Sequence, residues 1–451
     1  MSGVRAGLEG QVASTLRWGL GHALPRWAIR GSAKRGDLHG RLIEATASSD
    51  AAPLELFEEV RADGPLHRSQ FAYVTASLPT VKEVLTSNDV RAGVDIGSAP
   101  GPLGRLSTWA GRRAPIGPLT PPSLLVTEPP DHTRYRKLVT RVFSARAVQQ
   151  LRERTEQIAT ELLDDLGADA RAGHPVDLVE RYCALLPVTV IAEILGVPAA
   201  DRDRVLRFGE GAAPSLDLGL GWRHFREVEA SLTEFERWLH THIEDVRRSP
   251  GADLLSQLVT ARDEDGRGLD DAELKATAGL VLAAGFETTV NLLGNGIWLL
   301  HEHPDQLRAL QDDPALWPNA VDEVLRHDPP VLLTGRTVVR DTELAGTTVP
   351  RGAVVTTLLA GANRDPEVFT DPDVFDVARA NAGDHVSFSS GRHYCLGAAL
   401  ARMEGEVGLR AVFYRFPDLA LEPGARRRPT RILRGWGALP ARLQTQPVAT
   451  G

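Results

Sequence analysis

The sequence predicts a mainly α-helical protein with a small β region late in the chain, an α+β fold. Three observations carry this. Apolar residues recur at intervals of three and four across residues 133–327, as in EQIATELLDDL, VTVIAEILGV, FERWLHTHIEDV and ELKATAGLVLAAGF, the spacing that lines one face of a helix. After the stop Asp328-Pro329-Pro330 the runs shorten to TGRTVVRD, LAGTTVPRG and AVVTTLLA, which are β-branched and bounded by turn residues. Helical spacing then returns in Leu396, Leu400, Met403 and Val407.

In chain order, residues 1–48 come first, a basic amphipathic extension ahead of a main domain over 49–451. Arg17, Arg26, Arg30, Lys34, Arg35 and Arg41 alternate there with Trp18, Leu20, Leu24, Trp27 and Ile29. That pattern suits a helix packed on the body or one in weak association with a membrane surface. The stretch lacks the apolar core of a signal peptide, so the expected location is cytoplasmic. Residues 93–122 hold twelve Gly or Pro, which predicts a long functional loop. GEGAAPSLDLGLG, at 209–221, reads as a second mobile connection. AGLVLAAGFETTVNLLGNGIWLL, at 278–300, is long enough to span a bilayer but carries Glu287, Asn291 and Asn295. An ionised group at mid-membrane is costly, so no transmembrane segment is expected and this is a buried central helix.

The net charge of −8 argues against a nucleic-acid partner, since phosphate neutralisation needs clustered positive charge. Only two cysteines are present, Cys183 and Cys395, so no disulfide framework exists and a reducing compartment is expected. His240 with His242, and His301 with His303, are two apart and diverge on a helix. DEDG at 263–266 lacks the further ligands of a calcium loop, and LGLG at 218–221 lacks the strand and lysine of a phosphate loop. Cys183 sits in RYCALLPVTVIAEIL and reads as a buried small hydrophobe. Cys395 differs. It stands in SFSSGRHYCLG between Gly391 and Gly397, just ahead of a predicted helix. Unpaired N–H groups at a helix start favour a thiolate, Gly391 permits a sharp turn and Gly397 removes bulk beside the sulfur. Such a cysteine is inert packing, a nucleophile with His393 as base, or a metal ligand suited to iron.

The second constellation is Ala284-Gly285-Phe286-Glu287-Thr288-Thr289. It sets an acid beside a hydroxyl in the middle of an apolar helix, where glycine and a buried carboxyl are both unfavourable. Gly285 with Ala284 opens a groove, and Thr288 bonds back to a carbonyl or to water in it. This stretch resembles the oxygen-activating helix of the cytochrome P-450 family, A/G-G-x-D/E-T-T. Phe388 to Gly397 is similar to that family's cysteine loop, F-x-x-G-x-H/R-x-C-x-G. Further matches follow in the family's order: EPPDHTRYR with His132 and Arg136, Glu323-Val-Leu-Arg326 with Arg379, ANRDP at 362–366, and Arg336 in LLTGRTVV. The resemblance runs from about residue 50 onwards.

The resemblance implies a single catalytic domain of the cytochrome P-450 fold around one haem b, iron protoporphyrin IX. Its soluble bacterial members activate O2 and insert one oxygen atom into an organic molecule. Carried onto this sequence, Cys395 ligates the iron, Gly397 flanks it, and His132, Arg136, Arg336 and His393 neutralise the propionates. Glu287 and Thr288 relay protons, and Glu323, Arg326 and Arg379 hold the loop under the haem. The family's layout puts Ala283, Phe286, Thr289, Val331, Leu332 and the 93–122 loop around the substrate. Those segments offer no charged group for a polar substrate, which points to a hydrophobic small molecule. With no flavin or iron–sulfur module in the chain, electrons come from a ferredoxin and its NAD(P)H-dependent reductase, docking through Arg392 and neighbouring arginines. A peroxide-driven peroxygenase, or a non-catalytic haem or gas-sensing protein, is the alternative, and the Glu287–Thr288 pair counts against both. Ser389 stands where many members have glycine, and its hydroxyl is expected to reach the thiolate and raise the iron potential.

Overall fold

A computed structural model of the chain describes residues 2–46, 53–94, 102–140, 143, 145–171 and 174–444. Part of the Gly/Pro-rich stretch, 95–101, lies outside them. The first helices are α1 (Ser2–Trp18), α2 (Leu24–Lys34) and α3 (Leu38–Ala45). They do not stand apart from the body. Ile29, Leu42 and Ile43 share an apolar cluster with Leu332, Leu358 and Ala360, and Trp18 Nε1 donates to the Leu220 carbonyl at 3.0 Å. Arg17 pairs with Glu229 at 2.5 Å. The extension expected over 1–48 is therefore packed on the body, although Trp27 and Leu24 keep 76% and 54% exposure.

The stretch read as a loop over 93–122 contains a helix, α4 (Pro102–Gly111). Proline is harmless at a first helical position, where its missing N–H has no partner to lose, and glycine is a natural terminator. The same two residue types that signalled a loop thus bracket a short helix. Next come α5 (Asp131–Thr140), α6 (Ala145–Arg171), α7 (Leu185–Ile194), α8 (Arg202–Ala212) and α9 (Trp222–Arg248). Residues 209–221, expected to be a mobile connection, instead complete α8 and continue as a 3-10 turn over Ala213–Leu216. Buried Asp217 then accepts hydrogen bonds from the backbone N–H groups of Arg431 and Ile432 at 3.0 Å. Glycine at 209 is a packing requirement, because a Cβ there would lie 1.8 Å from the Phe286 ring.

The central element is α10 (Asp271–Glu302). Its start is fixed by a reciprocal cap: the Glu273 N–H donates to the Asp270 side chain and the Asp270 N–H to the Glu273 carboxylate, both at 2.9 Å, satisfying two donors a bare helix end would leave open. Glu273 also binds Arg134 and takes the Tyr135 hydroxyl at 2.8 Å, which ties α5 to α10. Among the described residues α10 is the one helix long and apolar enough to cross a membrane, and its most apolar window is 72% buried inside the protein. It is a core helix wrapped by other helices.

The strands form mainly after α11 (Trp317–His327). Five of them, β1 (His67–Arg68), β2 (Tyr73–Thr75), β3 (Val90–Ala92), β4 (Leu333–Val338) and β5 (Val354–Leu358), pair in the order β1-β2-β5-β4-β3. Only β2 and β5 run parallel. Helix α12 (Ala398–Arg415) follows the cysteine loop, and a two-stranded hairpin of β6 (Arg426–Arg427) and β7 (Trp436–Ala438) closes onto α10.

Candidate active site

Cys395 is held by a loop whose every turn has a backbone reason. The Cys395 N–H donates to the Phe388 carbonyl at 2.9 Å, and Tyr394 N–H to Gly391 at 3.0 Å. Gly391 has φ +67, and a Cβ there would meet the Leu85 carbonyl at 2.8 Å, so no other residue suits the position. Ser389 also adopts a positive φ, +63, with its Oγ buried and unpartnered. An L-residue in that region costs about 1 kcal/mol. At Gly397 an added Cβ would meet nothing within 4 Å.

Behind the loop stands a buried lattice of charges. Glu323 receives Arg326 through two hydrogen bonds at 2.7 and 2.8 Å and Arg379 at 3.2 Å. Arg326 then donates to the carbonyls of Asn363, Pro372 and Val374, and Arg379 to those of Thr370, Asp371 and Val374. The structure thus brings together Glu323, Arg326 and Arg379. It adds Asn363, whose amide donates to Ser387 Oγ and accepts from the Val386 N–H, both at 2.8 Å. Asn363 carries the lattice into the strand of chain that leads to Cys395.

The four expected anion binders lie around one side of the loop. The rings of His132 and His393 are 4.5 Å apart, and Arg336 is buried on β4, where among the described residues it donates to Thr334 Oγ1 and the Gly335 carbonyl. Arg136 is half-buried and acts electrostatically on both Cys395 and His132. Against these stands Glu128, which takes His393 and Arg392 at 3.1 Å each and the Ala92 N–H at 2.8 Å. Burial lowers Arg336 to about 10, opposed by Glu128. Burial, then His393 and Arg136, lower His132 to about 4, and its Nε2 is a buried atom with no partner. Burying cations beside so little negative charge is unfavourable unless an anion joins them. Two propionates supply such anions, so these residues fit haem. Burial also pushes the Cys395 thiol up, against the Gly397 N–H, Arg136 and Arg402. The expected thiolate therefore depends on a bound metal ion, which deprotonates a coordinating thiol outright. Arg392, expected to dock a redox partner, is committed internally to Glu128, Asn88 and the Ser87 carbonyl.

On α10 the motif residues point in different directions. Ala284 is exposed and Ala283, Gly285 and Thr288 are half-buried, whereas Phe286, Glu287 and Thr289 are buried, and Thr288 Oγ1 donates to the Ala284 carbonyl at 3.2 Å. Gly285 meets Ile191 of α7, 2.9 Å from where a Cβ would sit, so its smallness serves helix packing rather than the groove. Glu287 is buried and bound to Arg428. Of the residues expected to line a pocket, Ala283 borders a small apolar cavity with Ile116, Pro118, Leu232 and Leu239, and Val331 is half-buried in a bridge to Leu433. Phe286, Thr289 and Leu332 are buried in the core: the Phe286 ring faces Gly209 and Leu332 joins the cluster of Ile29 and Leu42.

A cytochrome P450 family model matches residues 215–314 and 315–441. The chain belongs to the cytochrome P450 family. It is similar to a putative cytochrome P450 140 of Mycobacterium tuberculosis, 50% identical over 434 residues, covering 95% of this chain and 97% of the relative. The 6-deoxyerythronolide B hydroxylase of Saccharopolyspora erythraea is 41% identical over 320 residues, 70% of this chain and 77% of that one. Among solved structures, myxobacterial CYP267B1 in complex with myristic acid superposes with a TM-score of 0.78 at 32% identity, covering 89% of this chain and 99% of that one. The family binds haem, and this chain is accordingly a cytochrome P450 monooxygenase.

The cytochrome P450 core holds one acid that no motif reading singled out. Glu404 of α12 is buried, neither carboxyl oxygen has a hydrogen-bond partner among the described residues, the Thr289 hydroxyl donating instead to the Gly285 carbonyl, and burial raises the acid well above the carboxylate range. A raised folded value adds stability below the ordinary carboxyl range and loses it as pH rises towards the folded value. Glu404→Gln should therefore gain on the wild type as pH rises from 5 to 8, at up to about 1.4 kcal/mol per pH unit. Urea unfolding at several pH values checks this, and a pH-independent difference refutes it.

Proposed function

We propose that this cytochrome P450 hydroxylates or epoxidises a hydrophobic small molecule with electrons from a ferredoxin and its NAD(P)H-dependent reductase. The observation that carries the reading is the pairing on α10 of half-buried Thr288 with buried Glu287 one residue before it. Haem, when bound, supplies the reductive activation of O2. Cys395 would ligate it, and His132, Arg136, Arg336 and His393 would hold its propionates. The chain's own work is proton management: burial raises the proton affinity of Glu287, opposed by Arg428, and Thr288 Oγ1 offers a rotatable donor and acceptor one residue further on. Proton transfer by a positioned group is worth about 10²–10⁴-fold.

Thr288→Ala should therefore divert O2-driven turnover to free peroxide by at least about tenfold while sparing peroxide-driven oxidation. Equal loss of both activities counts against the reading, and turnover with NADPH alone removes the ferredoxin. The apolar wall of the Ala283 cavity supports a hydrophobic substrate, as do the names of relatives: a hydroxylase of 6-deoxyerythronolide B and a structure holding myristic acid. Lipids, sterols, terpenes and macrolide-like compounds form the panel to test by haem spectral shift, and a response to small hydrophilic compounds alone would exclude the class.

A cytoplasmic setting follows from Cys183 and Cys395, both free thiols. Weak membrane-surface association rests on exposed Trp27 and Leu24, with Arg30 exposed and Lys34 following on the same helix. Co-sedimentation with phosphatidylglycerol vesicles but not phosphatidylcholine vesicles, reduced by Trp27→Ala, is the expected result. No sedimentation with either refutes it.

A further inference from the structure

Arg428 follows β6 directly and takes no part in the roles assigned above. Its Nη1 donates to Glu287 Oε1, its Nε to the Trp436 carbonyl at 3.2 Å, and its backbone N–H to Gly435 at 3.0 Å. Only 15% of its side chain and 5% of that of Glu287 remain exposed, so the pair is withdrawn from water. The contact belongs to a larger clasp. Glu287, Asn291 and Asn295 recur every four residues on α10 and so share a face, and the β6–β7 hairpin meets all three. Asn291 Oδ1 lies 1.8 Å from where a Gly435 Cβ would stand, and Asn295 Oδ1 takes Arg427 Nη1 at 2.7 Å. Arg428 grips the end of this face that adjoins Thr288.

The two oxygens of Glu287 are thereby made unequal. Oε1 is engaged by the guanidinium, whereas Oε2 is buried with no partner. A buried acceptor without a donor is costly unless it carries a proton or takes a hydrogen bond. We propose that Arg428 is a positioning residue of the monooxygenase reaction: by gripping Oε1 it fixes the Glu287 carboxyl so that its proton is carried on Oε2. The inference rests on the reading of Glu287 as a proton relay. When Oε2 gives its proton to a water that reaches it during turnover, the carboxylate left behind is balanced by the guanidinium, and a proton returned through water restores the acid. Burial raises Glu287, Arg428 from the hairpin opposes this, and Glu210 of α8 reinforces it; the buried Cys183 thiol also lies within the field of Arg428.

The test is an infrared pH titration of the carboxyl C=O band in the resting haem-loaded enzyme, with the band identified by its loss in Glu287→Gln. Arg428→Gln should raise the midpoint by at least one pH unit, tenfold in proton affinity, because the opposing charge is gone. Arg428→Lys, the conservative change, should fall between that variant and the wild type. A purely structural Arg428 would lower stability without moving the midpoint. In any variant that retains the thiolate spectrum, a midpoint identical to the wild type overturns the proposal. The relay reading fails separately: if Glu287→Gln leaves peroxide release during O2-driven turnover with myristic acid unchanged, Glu287 is no relay whatever Arg428 does to its titration.

Discussion

Cys395→Ser abolishes O2-driven turnover and the Soret shift that reduced, thiolate-ligated haem shows with carbon monoxide. The loop that carries the sulfur is set by backbone bonds, from Cys395 N–H to Phe388 and Tyr394 N–H to Gly391. None of these uses the side chain. The loop's backbone bonds do not depend on the sulfur, so exchanging it for oxygen should change the stability of the haem-free protein by no more than about 0.5 kcal/mol. Loss of the spectroscopic signal with an unchanged denaturation midpoint is the expected pair of results. A thiolate-type spectrum in the serine variant would mean that another residue ligates the iron.

Glu323→Gln has the opposite character: it costs stability first and function as a consequence. The Glu323 and Arg326 side chains are fully buried and that of Arg379 is 8% exposed. One carboxylate balances two guanidinium groups, and the Asp376 N–H donates to it as well, at 2.9 Å. Removing one member of a buried ion pair leaves the others uncompensated, which costs about 3–5 kcal/mol. The loss should appear as an early urea midpoint in the haem-free protein and as a low fraction of haem-loaded chain. A change below about 1 kcal/mol would place the pair among weak, exposed salt bridges.

Much of this architecture is legible in the sequence, for reasons that differ between elements. Long helices with apolar residues at three and four, such as 235–246 within α9, declare themselves because half-buried helices repeat their environment every turn. The β-branched runs at 334–341 and 353–360 do the same for β4 and β5. Helix α4 stays hidden because Pro102 and Gly111 signal interruption inside a loop as readily as the ends of a short helix. Along α10 periodicity fails for another reason: the helix is apolar on most sides, so spacing alone does not tell which residues stay accessible. Phe286 therefore lies against Gly209 while Ala284 is exposed and Thr288 half-buried.

The site divides in the same way. Cys395, Thr288 and the Glu323–Arg326 pair sit in short contiguous motifs. Glu128, Asn363 and Arg428 act through contacts that close over long separations, Glu128 with His393 across 265 positions and Arg428 with Glu287 across 141. Glu128 and Asn363 do stand inside recognisable stretches, EPPDHTRYR and ANRDP, but no local pattern assigns any of the three its partner.

The shared cluster of the N-terminal helices and the sheet has a consequence for how the protein is made. Ile29, Leu42 and Ile43 find their apolar neighbours in Leu332, Leu358 and Ala360, about 300 residues later. At about 5–20 residues per second of synthesis, the first helices wait some 15–60 s on the ribosome before that core exists. Through that interval the apolar faces of Ile29, Leu42 and Ile43 have no core to join, so the first helices gain this packing only once the last third of the chain has been made.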